Sequence, residues 1–300
     1  MLEETKAGFI AVIGSPNSGK STLINHFIGH KVTIVTRKVQ TTRSVIKGIC
    51  IHQKSQLIFS DTPGIFKPKR RLDRAMVEAA WSSSSDADIT LFLYDSQKST
   101  IDFDTQKILQ ELGRLAKKKI LVFNKVDLVD SKTLLPLIKV FEETCAFDAT
   151  FIISALTGEG SNEVLNYLAK ELPKGPWLYP EDDITDLPAR LLVAEITREQ
   201  VFMRLHQELP YGATVETEEW TERDDGAIVI NQIIYLRKAG HKKIVIGKHG
   251  SMIKILGTAA RIEMEQILER PVHLFLFVKV RENWMDDPDR YKIWGLNPNA

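Results

Sequence analysis

The chain is poor in cysteine, with two residues in 300, Cys50 and Cys145, both in apolar settings and in no C-x-x-C pair. That excludes a disulfide-stapled scaffold and a thiolate metal cluster, and reads as two reduced core residues of a cytoplasmic protein. Long apolar runs are missing too. The best candidate, residues 272–278, is strand-sized, far short of the ~18 residues of a membrane span. Neither sign of charge dominates: 40 Lys and Arg stand against 39 Asp and Glu, a net of +1, so bulk charge selects no partner. The opening Met1-Leu2-Glu3-Glu4-Thr5-Lys6 is acidic and leads into no long apolar segment, so no signal peptide is expected. No internal repeat or low-complexity tract is present, which excludes solenoids and compositionally biased chains. What remains is an ordinary globular composition, 43% hydrophobic and 26% charged, in a length that suits two domains of ~100–200 residues.

What is present begins with Gly14-Ser15-Pro16-Asn17-Ser18-Gly19-Lys20-Ser21, a match to G-x-x-x-x-G-K-[ST]. The apolar run Phe9-Ile10-Ala11-Val12-Ile13 precedes it as a strand, and Thr22-Leu23-Ile24-Asn25-His26-Phe27-Ile28 follows as the start of a helix. A phosphate-binding loop needs that strand–loop–helix setting. Its glycines let successive N–H groups turn toward phosphate oxygens, and the helix N-terminus adds a favourable dipole. Lys20 is expected to reach the β- and γ-phosphates, Ser21 to sit on Mg²⁺, and Thr22 to complete the set.

From residue 9 to 172, short apolar runs alternate with helix-period segments. Strands are expected at 9–13, 44–51, 56–61, 89–95, 120–124 and 150–154, and helices at 104–115, 131–144 and 161–172. This alternation predicts an α/β fold: a mostly parallel sheet with helices on both faces and its ligand at the strands' carboxyl ends. Pro173-Lys174-Gly175-Pro176, then Pro180 and Pro188 around Glu181-Asp182-Asp183, read as an ordered linker. Beyond it a helix at 198–209, strands at 213–220 and 227–237, a loop, a helix from about Ser251 and a strand at 272–280 form a smaller α/β unit of order α-β-β-α-β. The expected boundaries are a nucleotide domain 1–173, a linker 174–190, a second domain 191–281 and a tail 282–300. The tail holds Trp284, Trp294 and four acids but no motif.

Three further motifs fall at strand ends. In Asp61-Thr62-Pro63-Gly64 the Asp can hold Mg²⁺ through water, and the Gly64 N–H can meet a γ-phosphate. In Asn124-Lys125-Val126-Asp127 the Asp127 carboxylate can accept from the N1–H and exocyclic amine of guanine. Adenine lacks that donor pair, so GTP is favoured over ATP. Ser154-Ala155-Leu156 ends the following strand, where the Ala155 N–H could meet guanine O6. Singly each is a common turn; their order and phase carry the reading.

With these motifs the sequence resembles the GTPases of the translation-factor-like class. The resemblance implies a switch threonine between the first two motifs, within Val39-Gln40-Thr41-Thr42-Arg43. Thr42 is the choice for the hydroxyl that joins Mg²⁺ in the GTP state, with Thr41 second. A loop ordered by γ-phosphate and released on hydrolysis is the usual switch geometry. Ras-like enzymes orient the attacking water with a Gln after the third motif, but Ile65 and Phe66 stand there in this chain. Slow intrinsic hydrolysis is expected. Related GTPases with Pro-Asn in the phosphate loop use that Asn to hold a K⁺, so Asn17 is read either as a K⁺ ligand supplying charge to the transition state or as a simple loop residue.

The second domain segregates its charge. Seven basic residues from Arg237 to Arg261 (Arg237, Lys238, Lys242, Lys243, Lys248, Lys254, Arg261) are interrupted by no acid, whereas residues 216–225 carry six acids against Arg223. Such a run is the electrostatic footprint of a polyanion, or only a solvated face. At its centre Gly247-Lys248-His249-Gly250 is a G-x-x-G loop before a helix. In this element order it resembles a type 2 KH module, whose loop clamps ~four nucleotides. Single-stranded RNA is the favoured ligand, met by Lys242, Lys243, Ile246, Gly247, Lys248, His249, Gly250, Ser251 and Lys254, with Ile253 and Leu256 beside Ile246 lining a groove for bases.

A GTPase domain followed by a type 2 KH domain resembles the Era family of bacterial ribosome-assembly GTPases over residues 8–280. Further matches are Tyr179-Pro180-Glu181-Asp182, Glu208-Leu209-Pro210-Tyr211 and Pro271-Val272-His273-Leu274. The resemblance implies binding of the 3′ end of 16S rRNA with GTP favouring the RNA-bound state, a role in 30S subunit maturation, a monomer, and peripheral contact with the inner membrane in some members. Ser18, Leu156 and His249 depart from commoner choices. Two other readings stay open on residues alone: a nucleotide-gated signalling module for protein or membrane partners, and an ATPase.

Overall fold

The structure, a computed structural model, describes residues 4–300; the first three residues of the acidic opening stretch lie outside it. By its packing the chain forms two units, one of residues 4–33, Thr42–Asp186 and Tyr291–Ala300, the other of Ile34–Thr41 and Leu187–Arg290.

The first unit runs β1 (Lys6–Ile13), α1 (Lys20–Ile28), β2 (Ile46–His52), β3 (Ser55–Asp61), α2 (Arg71–Asp86), β4 (Ile89–Asp95), α3 (Phe103–Arg114), β5 (Lys118–Asn124), α4 (Leu134–Thr144), β6 (Ala149–Ile152) and α5 (Ser161–Glu171). Among the described residues its strands form one sheet, β2-β3-β1-β4-β5-β6. All pair in parallel except β2, which is antiparallel to β3. The alternation of side chains along a strand feeds two apolar layers. Ile10 and Val12 join Leu23, Phe27, Val164 and Leu168 on one side. Ile13, Phe92 and Tyr94 join Ala80, Ile108, Leu112 and Phe141 on the other. Strands covered on both faces need near-continuous apolar sequence, which β1 and β4 have.

Helix α2 was not expected from sequence. Its buried Leu72, Ala75, Met76 and Ala80 keep helical spacing, and the Asp73 carboxylate accepts the N–H groups of Lys69 and Arg70, both at 3.0 Å, to close its first turn. A basic cluster before it and the run of serines at its end blurred that period. The expected linker is no free spacer: up to Asp186 it packs within the first unit. Fully buried Gln56 accepts from Leu178 and Tyr179 N–H at 2.8 and 3.0 Å and donates to the Tyr179 carbonyl at 2.8 Å.

The second unit runs α6 (Ala189–Arg204), β7 (Ala213–Glu222), β8 (Ile228–Leu236), α7 (Ala239–Ile246), α8 (Ser251–Leu268) and β9 (Val272–Val280), with α9 (Pro288–Ile293) after it. β7 and β8 are antiparallel, while β8 and β9 are parallel and joined, as parallel strands must be, by a helical crossover. Two expectations are corrected here. The first helix spans Ala189–Arg204 rather than 198–209, because Pro188 pre-sets its N-terminus. The loop expected before Ser251 is largely helix α7, so the order is α-β-β-α-α-β. Its β-branched Ile244-Val245-Ile246 disfavours helix locally, but Val245 is fully buried in the core, and packing overrides propensity. The tail divides as well. Buried Trp284 donates to the Gly212 carbonyl at 3.1 Å, and Arg290 pairs with Glu216 at 2.6 Å. From Tyr291 on, the chain packs in the first unit: Arg71 lies over the Tyr291 ring and donates to the Pro298 carbonyl, and Asn297 donates to Glu78 at 2.9 Å.

A buried polar relay ties α6 to the sheet of the second unit. Thr197 donates to the Gln232 side-chain oxygen at 2.6 Å, and Gln232 donates to the Thr217 hydroxyl at 3.1 Å. Thr197→Val keeps the shape but strands that oxygen, and should cost about 1–3 kcal/mol in urea unfolding of this unit. An unchanged midpoint would show that the relay contributes nothing to stability.

Candidate nucleotide and RNA sites

The loop between β1 and α1 wraps its own lysine. Lys20 is buried, and its Nζ donates to the carbonyls of Gly14 and Ser15 at 3.3 and 3.1 Å. Gly19 leads into α1 with no side-chain cap, so the helix's first N–H groups face the loop as a ready anion site. Gly64 closes over it. A Cβ there would stand 2.8 Å from the Pro16 backbone, and Ile65 N–H donates to the Gly14 carbonyl at 3.0 Å. Only glycine permits that approach. Asn17 is exposed, with φ of 63°.

Hard oxygen donors converge beside the loop. Ser21 Oγ donates to Asp61 Oδ2 at 2.7 Å, and Thr42 Oγ1 stands 3.2 Å from Ser21 Oγ and 3.4 Å from Asp61 Oδ2. Asp61 is fully buried, and its Oδ1 has no hydrogen-bond partner among the described residues. Two hydroxyls and one carboxylate suit Mg²⁺, which keeps waters and phosphate oxygens rather than an all-protein cage. Ser21, Thr42 and Asp61 would hold it, and bound there it would neutralise charge on the β- and γ-phosphates.

The base end is built from β5 and the turn after β6. The Asn124 side chain donates to the Ser18 carbonyl at 2.8 Å and accepts the Ala155 N–H at 2.9 Å, bracing loop against turn. Asp127 is exposed, as is Leu156 at 77%. Lys125, in the left-handed region, reaches Asp95 at 2.6 Å.

Some expected site residues stand elsewhere. The Thr62 hydroxyl donates to the Val12 carbonyl at 2.7 Å, within the core, so it faces the sheet. The Thr41 hydroxyl bonds the Thr36 hydroxyl and the Lys38 carbonyl, within the second unit. The Ala155 N–H is occupied by Asn124, and the Ser154 hydroxyl accepts from Thr157 N–H at 3.2 Å. Sequence reasoning missed Asp95 and Lys98. Asp95 stands level with Asn124 across β4 and β5, and an acid at that strand end was the signal. Lys98, paired with Asp102 at 2.7 Å, comes within 3.4 Å of Ser15 Oγ.

In the second unit the G-x-x-G loop joins α7 to α8. Gly247 has φ of 76°, and a Cβ there would lie 2.6 Å from Met252 N. Lys242, Lys243, Lys248, His249, Ser251 and Lys254 are exposed, while Ile246 and Ile253 are half-buried. Leu256 is fully buried in the core, so it lies under the surface and not on it as expected.

A loop of this form with a buried Mg²⁺ donor set and a guanine-end brace defines a P-loop GTPase, here followed by a KH module. The family described as 50S ribosome-binding GTPase matches residues 9–125, and that described as KH domain matches residues 208–285. GTPase Era of Sinorhizobium medicae is 57% identical over 293 residues, covering 98% of this chain and 94% of its own. GTPase Era of Agrobacterium fabrum is 56% identical over 292 residues, covering 97% and 92%. A crystal structure of an Aquifex aeolicus Era variant bound to GDP·AlF4⁻ superposes with a TM-score of 0.91 at 39% identity, over 97% of this chain and 99% of that one. An Era complex with MgGDPNP and nucleotides 1506–1542 of 16S ribosomal RNA matches equally well, with a TM-score of 0.91 at 39% identity and the same coverage of 97% and 99%. The chain belongs to the Era family of GTPases.

Burial pushes the Asp61 carboxyl up to about 6, against the opposing pull of Ser21, Lys20, Thr42 and Thr33. Burial likewise brings the Lys20 ammonium down to about 8, with Asp61 pulling the other way. An unfolded Asp releases its proton near ~3.9. From there to about 6 the folded carboxyl holds a proton that the unfolded one has lost, so stability falls as pH rises. Above that window the penalty stays in full. Asp61→Asn should therefore stabilise the nucleotide-free protein at pH 7 and flatten its melting temperature between pH 4 and 6 relative to the parent. Parallel pH profiles for the two proteins would refute this.

Proposed function

We propose that this chain is a GTP-hydrolysing switch that binds the 3′ end of 16S rRNA during 30S subunit assembly, the nucleotide work falling to residues 1–173 and RNA binding to 191–281. The observation that carries the reading is the G-x-x-G turn, with exposed Lys242, Lys243, Lys248 and Lys254 about it, in a chain where Ser21, Thr42 and Asp61 converge beside a phosphate-type loop. The likeness to an Era bound to 16S rRNA supports it. Lys20, Ser21, Asp61, Thr42 and the Gly64 N–H are assigned to phosphates and Mg²⁺, and Asp127 to guanine. Ile65 is buried in the core and offers nothing to orient water, which supports slow intrinsic turnover. Charge for the transition state is then assigned to a K⁺ held by Asn17.

The reading carries with it a monomer in the cytoplasm, with the basic run also serving peripheral contact with the inner membrane. Among the described residues no helix is long and apolar enough to cross a membrane.

A single-stranded RNA copied from the 3′ end of 16S rRNA should bind more tightly with a GTP analogue than with GDP. Gly247→Asp should abolish binding, since neither its φ nor Met252 N leaves room for a side chain. Lys248→Glu should weaken binding and flatten its salt dependence, one phosphate contact accounting for roughly one unit of log–log slope. Binding to anionic vesicles with no binding to RNA would favour a signalling role instead. On the nucleotide side, Asp127→Asn should shift preference toward xanthine nucleotides. Asn17→Ala should remove any stimulation of turnover by K⁺ over Na⁺; equal rates in both salts with the parent protein would sink the K⁺ assignment.

A further inference from the structure

Between the Asp61-Thr62-Pro63-Gly64 motif and the body of α2, the chain concentrates charge that none of the sequence motifs uses. Five of the eight residues 67–74 are Lys or Arg, against the single acid Asp73. In a chain of net charge +1, so dense a cluster sets a local field. Asp73 does little to neutralise it at the surface: it is buried, and its carboxylate accepts the N–H groups of Lys69 and Arg70. Arg70 and Arg74 stand one helical turn apart, the Arg74 N–H donating to the Arg70 carbonyl at 3.1 Å. Like charges at that spacing repel.

Arg71 is engaged, lying over the Tyr291 ring and donating to the Pro298 carbonyl, and Arg70 serves in the capping contacts of α2 with Asp73. Lys67, Lys69 and Arg74 are exposed, and their side chains form no ion pair among the described residues. Pro68 fixes its own φ and biases Lys67 toward extended backbone. Among the described residues no large apolar side chain is exposed between Val39 and Phe103. A bilayer contact buries apolar side chains beside its cations, whereas a nucleic-acid backbone asks only for charge and hydrogen-bond donors. The surface fits the phosphates of RNA.

The same stretch of backbone is tied to the phosphate loop. Gly64 lies against Pro16 with no room for a Cβ, and the Ile65 N–H donates to the Gly14 carbonyl at 3.0 Å. Lys67 follows two residues later. Whatever fixes the Gly64–Ile65 peptide, a γ-phosphate included, restricts where these cations stand.

We propose that Lys67, Lys69 and Arg74 form a second RNA contact, on the nucleotide unit, that grips phosphates without reading bases and engages when γ-phosphate is in place. It rests on the RNA-binding reading above and adds a site outside residues 191–281. Linkage is reciprocal, so RNA held there favours the GTP-bound arrangement of Gly64.

The test uses the full chain, the triple variant Lys67→Gln/Lys69→Gln/Arg74→Gln and, as probe, an RNA of nucleotides 1506–1542 of 16S rRNA. Binding is followed against salt, with a GTP analogue and with GDP. In the GTP state the triple variant should bind about tenfold more weakly at ~0.1 M salt, with a log–log salt slope flatter by about two to three units. With GDP the loss should be under about threefold, and GDP affinity itself should stay parental. In the parent protein, acetylation of Lys67 and Lys69, read by mass spectrometry, should fall severalfold when RNA and the GTP analogue are added together. Parental affinity and slope in the triple variant, or no protection of either lysine, would overturn the proposal; the RNA-binding reading then still stands if Gly247→Asp loses binding. An equal loss in both nucleotide states would overturn the tie to γ-phosphate. If the parent binds no RNA, that reading falls and the proposal with it. Lost binding to phosphatidylglycerol vesicles, with RNA binding unchanged, would give the surface to the membrane instead.

Discussion

At the carboxyl edge of the first sheet, a lysine and an aspartate are kept from water, and among the described residues one oxygen of the aspartate has no hydrogen-bond partner. Burial drives both toward their neutral forms, and much of the surrounding architecture exists to hold them there. β1 and β3 lie side by side in register, so the loop after one and the acid ending the other share an edge. Asn124 braces that loop, and Gly64 lies against it with no room for a side chain. Lys20 and Asp61 offset each other's charge only in part.

The nucleotide half was legible because its chemistry is done by backbone and by residues at fixed distances from strand ends. Gly14, Lys20, Asp61 and Asn124 have one geometric solution once strand, loop and helix follow in order. What failed was what depends on neighbours remote in sequence. The hydroxyls of Thr41 and Thr62 and the N–H of Ala155 looked available, but each has a partner within the protein: Thr36, the Val12 carbonyl and Asn124. Helix α7 was hidden by β-branched residues that a buried Val245 overrules. The early start of α6 was signalled only by Pro188, which read equally well as linker.

The second unit shows why net charge was a poor guide. Acids gather on β7, and bases gather along α7, the G-x-x-G turn and α8, so a chain near neutrality presents a strongly basic face at one place. Its backbone supports close approach there, with glycine in a conformation that other residues avoid. Leu256, taken from sequence as a groove residue, lies beneath that surface, where Ile246 and Ile253 are half-buried and Lys242, Lys243, Lys248 and Lys254 exposed.

Each unit contains a piece of polypeptide that sequence order would give to the other: Ile34–Thr41 lies in the second, and Tyr291–Ala300 in the first. This is an exchange of arms within one chain, and it means that the linker is not the only joint. A protease that nicks the chain near Asp186 would leave two fragments, each still gripping an arm of the other, so they should stay associated until the arms let go. A half cut out at that point would carry Ile34–Thr41 without the helix that this segment packs on.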